Sequence, residues 1–269
     1  KHKFRFNNPV HCIDSTTIDL CLSLFPWAKF RTTKGAVKLH CQLDLRGHVP
    51  SFGVVTDGKC SDIRAAKTFF DLVPDSILVI DRGYTDFTWY HRIDEAKAFF
   101  VTRAKDNLAC EVTGQHPVDL KKGLLFDKTI RLSGFQSKDK FDKPLRLVGF
   151  HDEETGNTYE FLTNNFRLSA ATIAAIYKAR WQVELFFKWI KQHLKIKTFL
   201  GTSKNAVLTQ IWVAMCYFLL LAYIKFQSRF QRSLFLLQRL IQNTLLDRLS
   251  LIDLLRLPEK KLPEIKNWG

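Results

Sequence analysis

The chain has 269 residues, 46% apolar and 25% charged, which fits a globular fold with its own core and excludes collagen, coiled-coil and disordered classes. Lys and Arg number 41 against 26 Asp and Glu, a formal net charge of +15. The expected partner is therefore a polyanion, nucleic acid first and an anionic membrane surface second, with simple basic solubility as the plainer account.

In chain order, VHCID (10–14) is a short apolar strand that ends at Asp14. VKLHCQLDL (37–45) alternates, putting Val37, Leu39, Cys41, Leu43 and Leu45 on one face, and the turn Arg46-Gly47-His48 leads into VPSFGVVTDG (49–58). Together these predict an antiparallel meander. SDIRAAKTFFDLV (61–73) opens with Ser61 and Asp62 and spaces its apolar residues as a helix does. ILVID (77–81) is an apolar strand ending at Asp81, residues 86–97 form a second helix, and AFFVTR (98–103) a further strand. Residues 106–165 change texture: short strand-like pieces are punctuated by glycines at 114, 123, 134 and 156. That pattern predicts a β-rich insertion folded as an antiparallel sheet outside the main one. Ser169 caps a long helix reaching Lys195, and two more helices follow near 205–226 and 233–257. The apolar run 211–224 is too short for a bilayer, which needs ~20 residues, and is expected as a core helix. A membrane-associated basic protein is a weak rival resting on that run alone.

Six scattered cysteines contain no C-x-x-C pair, so the expectation is buried thiols in a reducing compartment rather than a zinc or redox motif. Residues 1–9 show no signal-peptide pattern. Met215 is the only methionine, which predicts that the chain starts inside a longer protein.

Two aspartates, Asp14 and Asp81, close buried strands, and the rim of a sheet is where α/β folds place their sites. If the strands are parallel neighbours the carboxylates converge, repel, and call for a cation, with oxygen ligands favouring Mg²⁺ or Mn²⁺. Taken singly, each could merely start a turn. The segment Tyr177 to Lys204 carries seven bases and a single acid, Glu184. On one continuous helix, Tyr177, Arg180, Lys188, Lys191 and Lys195 lie within roughly 40° of Glu184, beside an apolar stripe of Ile176, Val183, Phe187, Ile190 and Leu194. A phosphate backbone along the stripe, with Glu184 aimed at a metal, is one reading. An ordinary i,i+4 pair of Glu184 with Lys188 is the other.

Tyr177-x2-Arg180-x3-Glu184-x6-Lys191 resembles the Tyr-Arg-Glu-Lys signature of a group of bacterial insertion-sequence DDE transposases. Asp14 within Ile13-Asp14-Ser15-Thr16 is similar to that group's first catalytic motif, and Asp81-Arg82-Gly83-Tyr84 to its second. Phe100-Val101-Thr102-Arg103 matches the following strand. The resemblance runs from about residue 9 to 225. It implies an α/β, RNase H-like mixed sheet flanked by helices, with the core split as 1–105 and 166–269 around the 106–165 insertion. Asp14, Asp81 and Glu184 would be the catalytic carboxylates and would hold two Mg²⁺ (or Mn²⁺) ions. Tyr84, Arg103, Lys105, Tyr177, Arg180, Lys188, Lys191 and Lys195 would contact DNA. Members with a hairpin mechanism hold a flipped base with an aromatic of the insertion, often Trp. No Trp lies between 90 and 180 here, leaving Phe126, Phe135, Phe141, Phe150 or Tyr159 as open alternatives. The implied activity is cleavage at transposon ends and strand transfer into target DNA, by a homodimer on double-stranded DNA, in the bacterial cytoplasm at the nucleoid, without a membrane. The rivals are a nuclease of the same fold lacking strand transfer and an inactive DNA-binding remnant.

Overall fold

The fold is given by a computed structural model that describes residues 6–193 and 199–244. Nine strands form one sheet: β1 (Val10–Leu20), β2 (Gly35–Asp44), β3 (Val49–Asp57), β4 (Ile77–Ile80), β5 (Phe99–Arg103), β6 (Cys110–His116), β7 (Leu124–Leu132), β8 (Leu145–Asp152) and β9 (Asn157–Thr163), in the order β3-β2-β1-β4-β5-β9-β8-β7-β6. The helices are α1 (Asp62–Phe69), α2 (Phe87–Glu95), α3 (Ala170–Ala179), α4 (Trp181–His193), α5 (Lys204–Ser228) and α6 (Leu234–Thr244).

The expected meander is present as the antiparallel trio β1, β2 and β3. β4 lies parallel to both β1 and β5, and the crossovers bury it on both sides, so all four of its residues are apolar and covered. Strand alternation sends Ile77 and Val79 to one core and Leu78 and Ile80 to the other. The first core joins Val10, Cys12, Leu39 and Cys41 to Ile173 and Ile176 of α3, Val183 and Phe187 of α4, and Val207 and Ile211 of α5. The second packs Ile13 and Phe100 against Ala66 of α1 and Trp89, Tyr90 and Ile93 of α2.

Three expectations change. First, 106–165 is antiparallel as read but is not a separate sheet. Its last strand, β9, pairs with β5 at Val101–Thr163, Thr102–Leu162 and Arg103–Phe161, so the insertion extends the main sheet. An unpaired β5 edge would leave its backbone groups open, and β9 satisfies them. Ile130, Phe141 and Leu145 also join the second core. Second, β1 does not stop at Asp14 but runs on to Leu20, because β2 pairs with it along its whole length. Third, the helix after Ser169 is two helices. At Arg180 the backbone tightens to i,i+3 bonding, with Arg180 N–H donating to the Tyr177 carbonyl and Val183 N–H to that of Arg180. The buried Cys12 thiol also faces the Arg180 carbonyl, at 3.9 Å. The stripe expected across 177–191 therefore spans two helices, with Tyr177 on α3, Arg180 at the junction, and Glu184, Lys188 and Lys191 on α4.

α5 is long and apolar enough, by length and composition, to cross a membrane. It packs through Val207, Ile211, Met215, Phe218 and Leu221 but leaves Val213, Leu220, Tyr223 and Phe226 exposed, so it is only half the core helix expected. The last expected helix is described only to Thr244, and Lys195 lies outside the described residues.

A buried ion pair ties the insertion to the helices. Arg146 of β8 makes a two-pronged bond to Asp127 of β7, at 2.8 and 2.6 Å, and its remaining donors reach the carbonyls of Asn165 (3.2 Å) and Leu168 (2.5 Å). Leu168 directly precedes Ser169, which caps α3 by accepting from Thr172 N–H. The pair thus ties the start of α3 to the insertion.

Candidate active site

Where β4 ends, β1 continues. The last parallel pair is Cys12 with Val79, so two residues further along, Asp14, still in β1, and Asp81, just past β4, come to the same end of the sheet. Asp81 has left its strand and caps the turn 82–84, its Oδ1 accepting the Gly83 N–H at 2.8 Å. A Cβ at Gly83 would lie 2.9 Å from that same oxygen, so a residue without a side chain lets the backbone close on the carboxylate. Thr102 of β5 donates its hydroxyl to the Asp81 carbonyl at 3.2 Å.

From above the sheet, α4 supplies Glu184 from its first turn, and Arg180 at the α3–α4 junction reaches across. Arg180 Nη1 lies 3.0 Å from Asp14 Oδ2, and Nη2 lies 2.5 Å from Glu184 Oε1. One guanidinium therefore sits between two of the three carboxylates, and the bonds it makes are charge-assisted. Asp14, Asp81, Arg180, Glu184, Lys188 and Lys191 line one open cleft of about 570 Å³. Glu184 thus pairs with Arg180 at i−4, rather than with Lys188 as the plainer reading had it.

Burial pushes the Asp14 carboxyl up from its ordinary 3.8 to about 6. The Ser15 N–H and Arg180 oppose that rise, while the charges of Asp81 and Glu184 add to it. Arg180 is in turn driven to stay charged, burial being outweighed by Tyr177, Asp14 and Glu184 among its neighbours. The Cys12 thiol beneath is pushed far up by burial and stays neutral, which removes it as a nucleophile.

The chemistry of the donor set fits hard divalent cations: three carboxylates, with oxygen ligands only. Arg180 is the observation that tests it, because Asp14 and Glu184 already close around one positive charge. Among the described residues no three such side chains stand close enough to make a finished metal cluster. The guanidinium occupies the space between two of them.

The expected DNA contacts divide. Lys188 and Lys191 are exposed on the cleft. Tyr177 is half-buried, its ring 4.7 Å from Phe161, with the Arg180 guanidinium 5.8 Å from its centroid. Arg103 lies over Tyr159 at 5.3 Å and, with exposed Lys105, lines a neighbouring hollow rather than the cleft itself. Tyr84 is a correction. It is 2% exposed, packs at 6.2 Å on Trp89, and its hydroxyl is buried without a hydrogen-bond partner, so it belongs to the core and does not reach a duplex. Lys178 faces away, bonded to Asp152 and Glu154 at 3.1 Å each. Of the aromatics left open in the insertion, Phe141 is buried and Phe135 is 88% exposed.

Sequence reading missed Ser15 and Asp62. The Ser15 hydroxyl donates to Asp62 Oδ1 at 2.6 Å, beside Lys38 and the buried His40. The only signal was Asp62 at a helix start, which reads as an ordinary first-turn acid.

The family model described as "Transposase DDE domain" matches residues 5–219. "Putative transposase y4zB" of Sinorhizobium fredii (strain NBRC 101917 / NGR234) is 37% identical over 213 residues, covering 78% of this chain and 59% of the relative. "Probable transposase for insertion sequence element IS5377" of Geobacillus stearothermophilus is 31% identical over 233 residues, covering 86% of this chain and 60% of the relative. The chain thus spans about 60% of the length of these curated relatives. A solved structure, "Cryo-EM structure of piggyBac transposase synaptic complex with hairpin DNA", overlaps at a TM-score of 0.42 and 12% identity, covering 76% of this chain and 45% of that one, a likeness too slight to bear on fold or function.

Proposed function

Because the chain belongs to the Transposase DDE domain family, we propose that it is the catalytic part of an insertion-sequence transposase that cuts DNA at the element's ends and joins them to target DNA. The family generally uses divalent metal ions. The observation that carries the reading is the one cleft lined by Asp14, Asp81, Glu184, Lys188 and Lys191, with Arg180 bridging Asp14 and Glu184.

Asp14, Asp81 and Glu184 would hold two Mg²⁺ or Mn²⁺ ions. Such a pair, when bound, activates the attacking oxygen and stabilises the leaving one in an in-line displacement. The chain's own residues do the rest. Arg180 neutralises Asp14 and Glu184 while the cleft is free of DNA, and transfers to a backbone phosphate when one enters, releasing both carboxylates. Lys188 and Lys191 sit one and two helical turns beyond Glu184 and hold the phosphates that follow the reacting one. Tyr177 packs against Arg180 and limits where its guanidinium can swing. Positioning of this kind, rather than a protein base, is what remains for the side chains to supply.

The RNase H-like class is supported by the parallel β1, β4 and β5 with the antiparallel β2 and β3 beside them. Membership of the Tyr-Arg-Glu-Lys group is supported by Arg180 and Glu184 acting on one site. A homodimer on double-stranded DNA, working at the bacterial nucleoid, completes the proposal. The test is incubation of the full-length protein with duplexes carrying the element's ends, intact or pre-cut, plus a target plasmid and Mg²⁺. Cleavage together with joining of the pre-cut end is expected. Cleavage without joining would leave a nuclease, and DNA binding without cleavage an inactive remnant.

A further inference from the structure

We propose that Asp62, the first residue of α1, is a positioning residue for Asp14 and acts through Ser15. This rests on Asp14 being a metal-holding carboxylate, as proposed above.

Ser15 is bonded to both acids. Its backbone N–H donates to Asp14 Oδ1 at 2.8 Å, and its hydroxyl donates to Asp62 Oδ1 at 2.6 Å. Neighbouring side chains on a strand point to opposite faces, so Asp14 projects toward α4 and Ser15 toward α1. The strand is gripped from both faces at the same point, by Arg180 above and by Asp62 below. With Oδ1 fixed by the Ser15 amide, Asp14 Oδ2 is the oxygen turned to Arg180 and the cleft.

The surroundings of Asp62 direct it to Ser15. Lys38 Nζ lies 3.2 Å from the same Oδ1 and balances its charge. His40 is fully buried, with Nε2 3.0 Å from the Thr56 hydroxyl. The Thr56 hydroxyl also lies 3.0 Å from the Asp57 carbonyl, so the ring is held from its Nε2 side. Its Nδ1 faces Asp62 Oδ1 at 3.6 Å, beyond hydrogen-bond distance. Among the described residues the side-chain donors to Asp62 are therefore Ser15 and Lys38. Groups that hold a metal-binding side chain in place are typically worth about 10–100-fold in metal affinity when removed.

The experiment is Mn²⁺ binding, followed by electron paramagnetic resonance, to the full-length protein without DNA. Wild type is compared with Asp62→Asn, Asp62→Ala, Ser15→Ala, the Ser15→Ala/Asp62→Ala double variant and Asp14→Asn, with DNA affinity and thermal melting in parallel. The three single variants at Ser15 and Asp62 should weaken Mn²⁺ binding about 10–100-fold at unchanged DNA affinity. The double variant should be no worse than either single one, because both remove the same link. Ser15→Ala, a loss of one hydroxyl, keeps the test open if Asp62→Ala does not fold. Wild-type Mn²⁺ affinity in Ser15→Ala, or losses that multiply in the double variant, overturns the relay through Ser15. If Asp14→Asn also binds Mn²⁺ as wild type does, the carboxylate site itself is refuted and the relay with it.

Discussion

Asp14 carries a stability cost that its replacement should release. Burial raises its carboxyl from the ordinary 3.8 to about 6, so the folded chain binds this proton more tightly than the unfolded chain does. Stability from this group is complete below about pH 4 and is lost as pH rises through about 6. At about 1.4 kcal/mol per pK unit the loss amounts to about 3 kcal/mol at pH 8. Asp14→Asn puts a neutral group of the same shape in that position, and Arg180 keeps Glu184 as a partner. The variant should therefore be more stable than wild type at about pH 8 by about 2–3 kcal/mol, a rise in melting temperature of about 4–12 °C. The advantage should shrink toward zero near pH 4. Urea melts of both proteins in a chelator, at about pH 8, 6 and 4, measure it. A variant no more stable than wild type at pH 8, or a difference that does not change with pH, would refute the reasoning that burial of the Asp14 carboxylate outweighs its pairing with Arg180.

Asp81→Asn and Glu184→Gln should each lower DNA cleavage by about 10³-fold or more in a gel assay while leaving DNA affinity within about threefold, and the double variant should be little worse than either, since the carboxylates act as a unit. Lys188→Ala should flatten the slope of log K against log salt by about one unit for any duplex, read by fluorescence anisotropy; Arg180→Ala should instead reduce end cleavage far more than bulk affinity. Arg146→Met should destabilise the fold by about 3–5 kcal/mol, because it strands the Asp127 carboxylate, whose side chain is 3% exposed; a denaturant melt within about 1 kcal/mol of wild type contradicts the anchoring role given to that pair.

The convergence of Asp14 and Asp81 was legible because two apolar strands each closed on an acid, and a buried parallel pair has few ways to place such ends. What hid the continuation of β1 to Leu20 was its polar stretch Ser15-Thr16-Thr17, which reads as a turn although β2 pairs with it throughout. Likewise the break at Arg180 leaves no mark in composition: Ala179, Arg180 and Trp181 are all compatible with a helix interior, and Arg180 itself keeps helical dihedrals while the bonding shifts to i,i+3. The insertion was recognisable as β by its glycines, but whether its strands stand alone or join an edge depends on the partner edge, which no local pattern reports. Asp62 looks like an ordinary helix-starting acid in sequence because the residue it bonds, Ser15, is 47 positions away. Tyr84 followed the motif order, yet its neighbours Trp89 and Tyr90 close over it.

The central claim is that Asp14, Asp81 and Glu184 together make a divalent-metal centre for DNA strand cleavage. The most direct measurement is cleavage of an end-bearing duplex by the full-length protein, with and without Mg²⁺, for wild type and Asp81→Asn at equal DNA occupancy. Cleavage that needs Mg²⁺ and disappears in the variant is the predicted result. Cleavage that persists in Asp81→Asn, or that proceeds equally in a chelator, would contradict it.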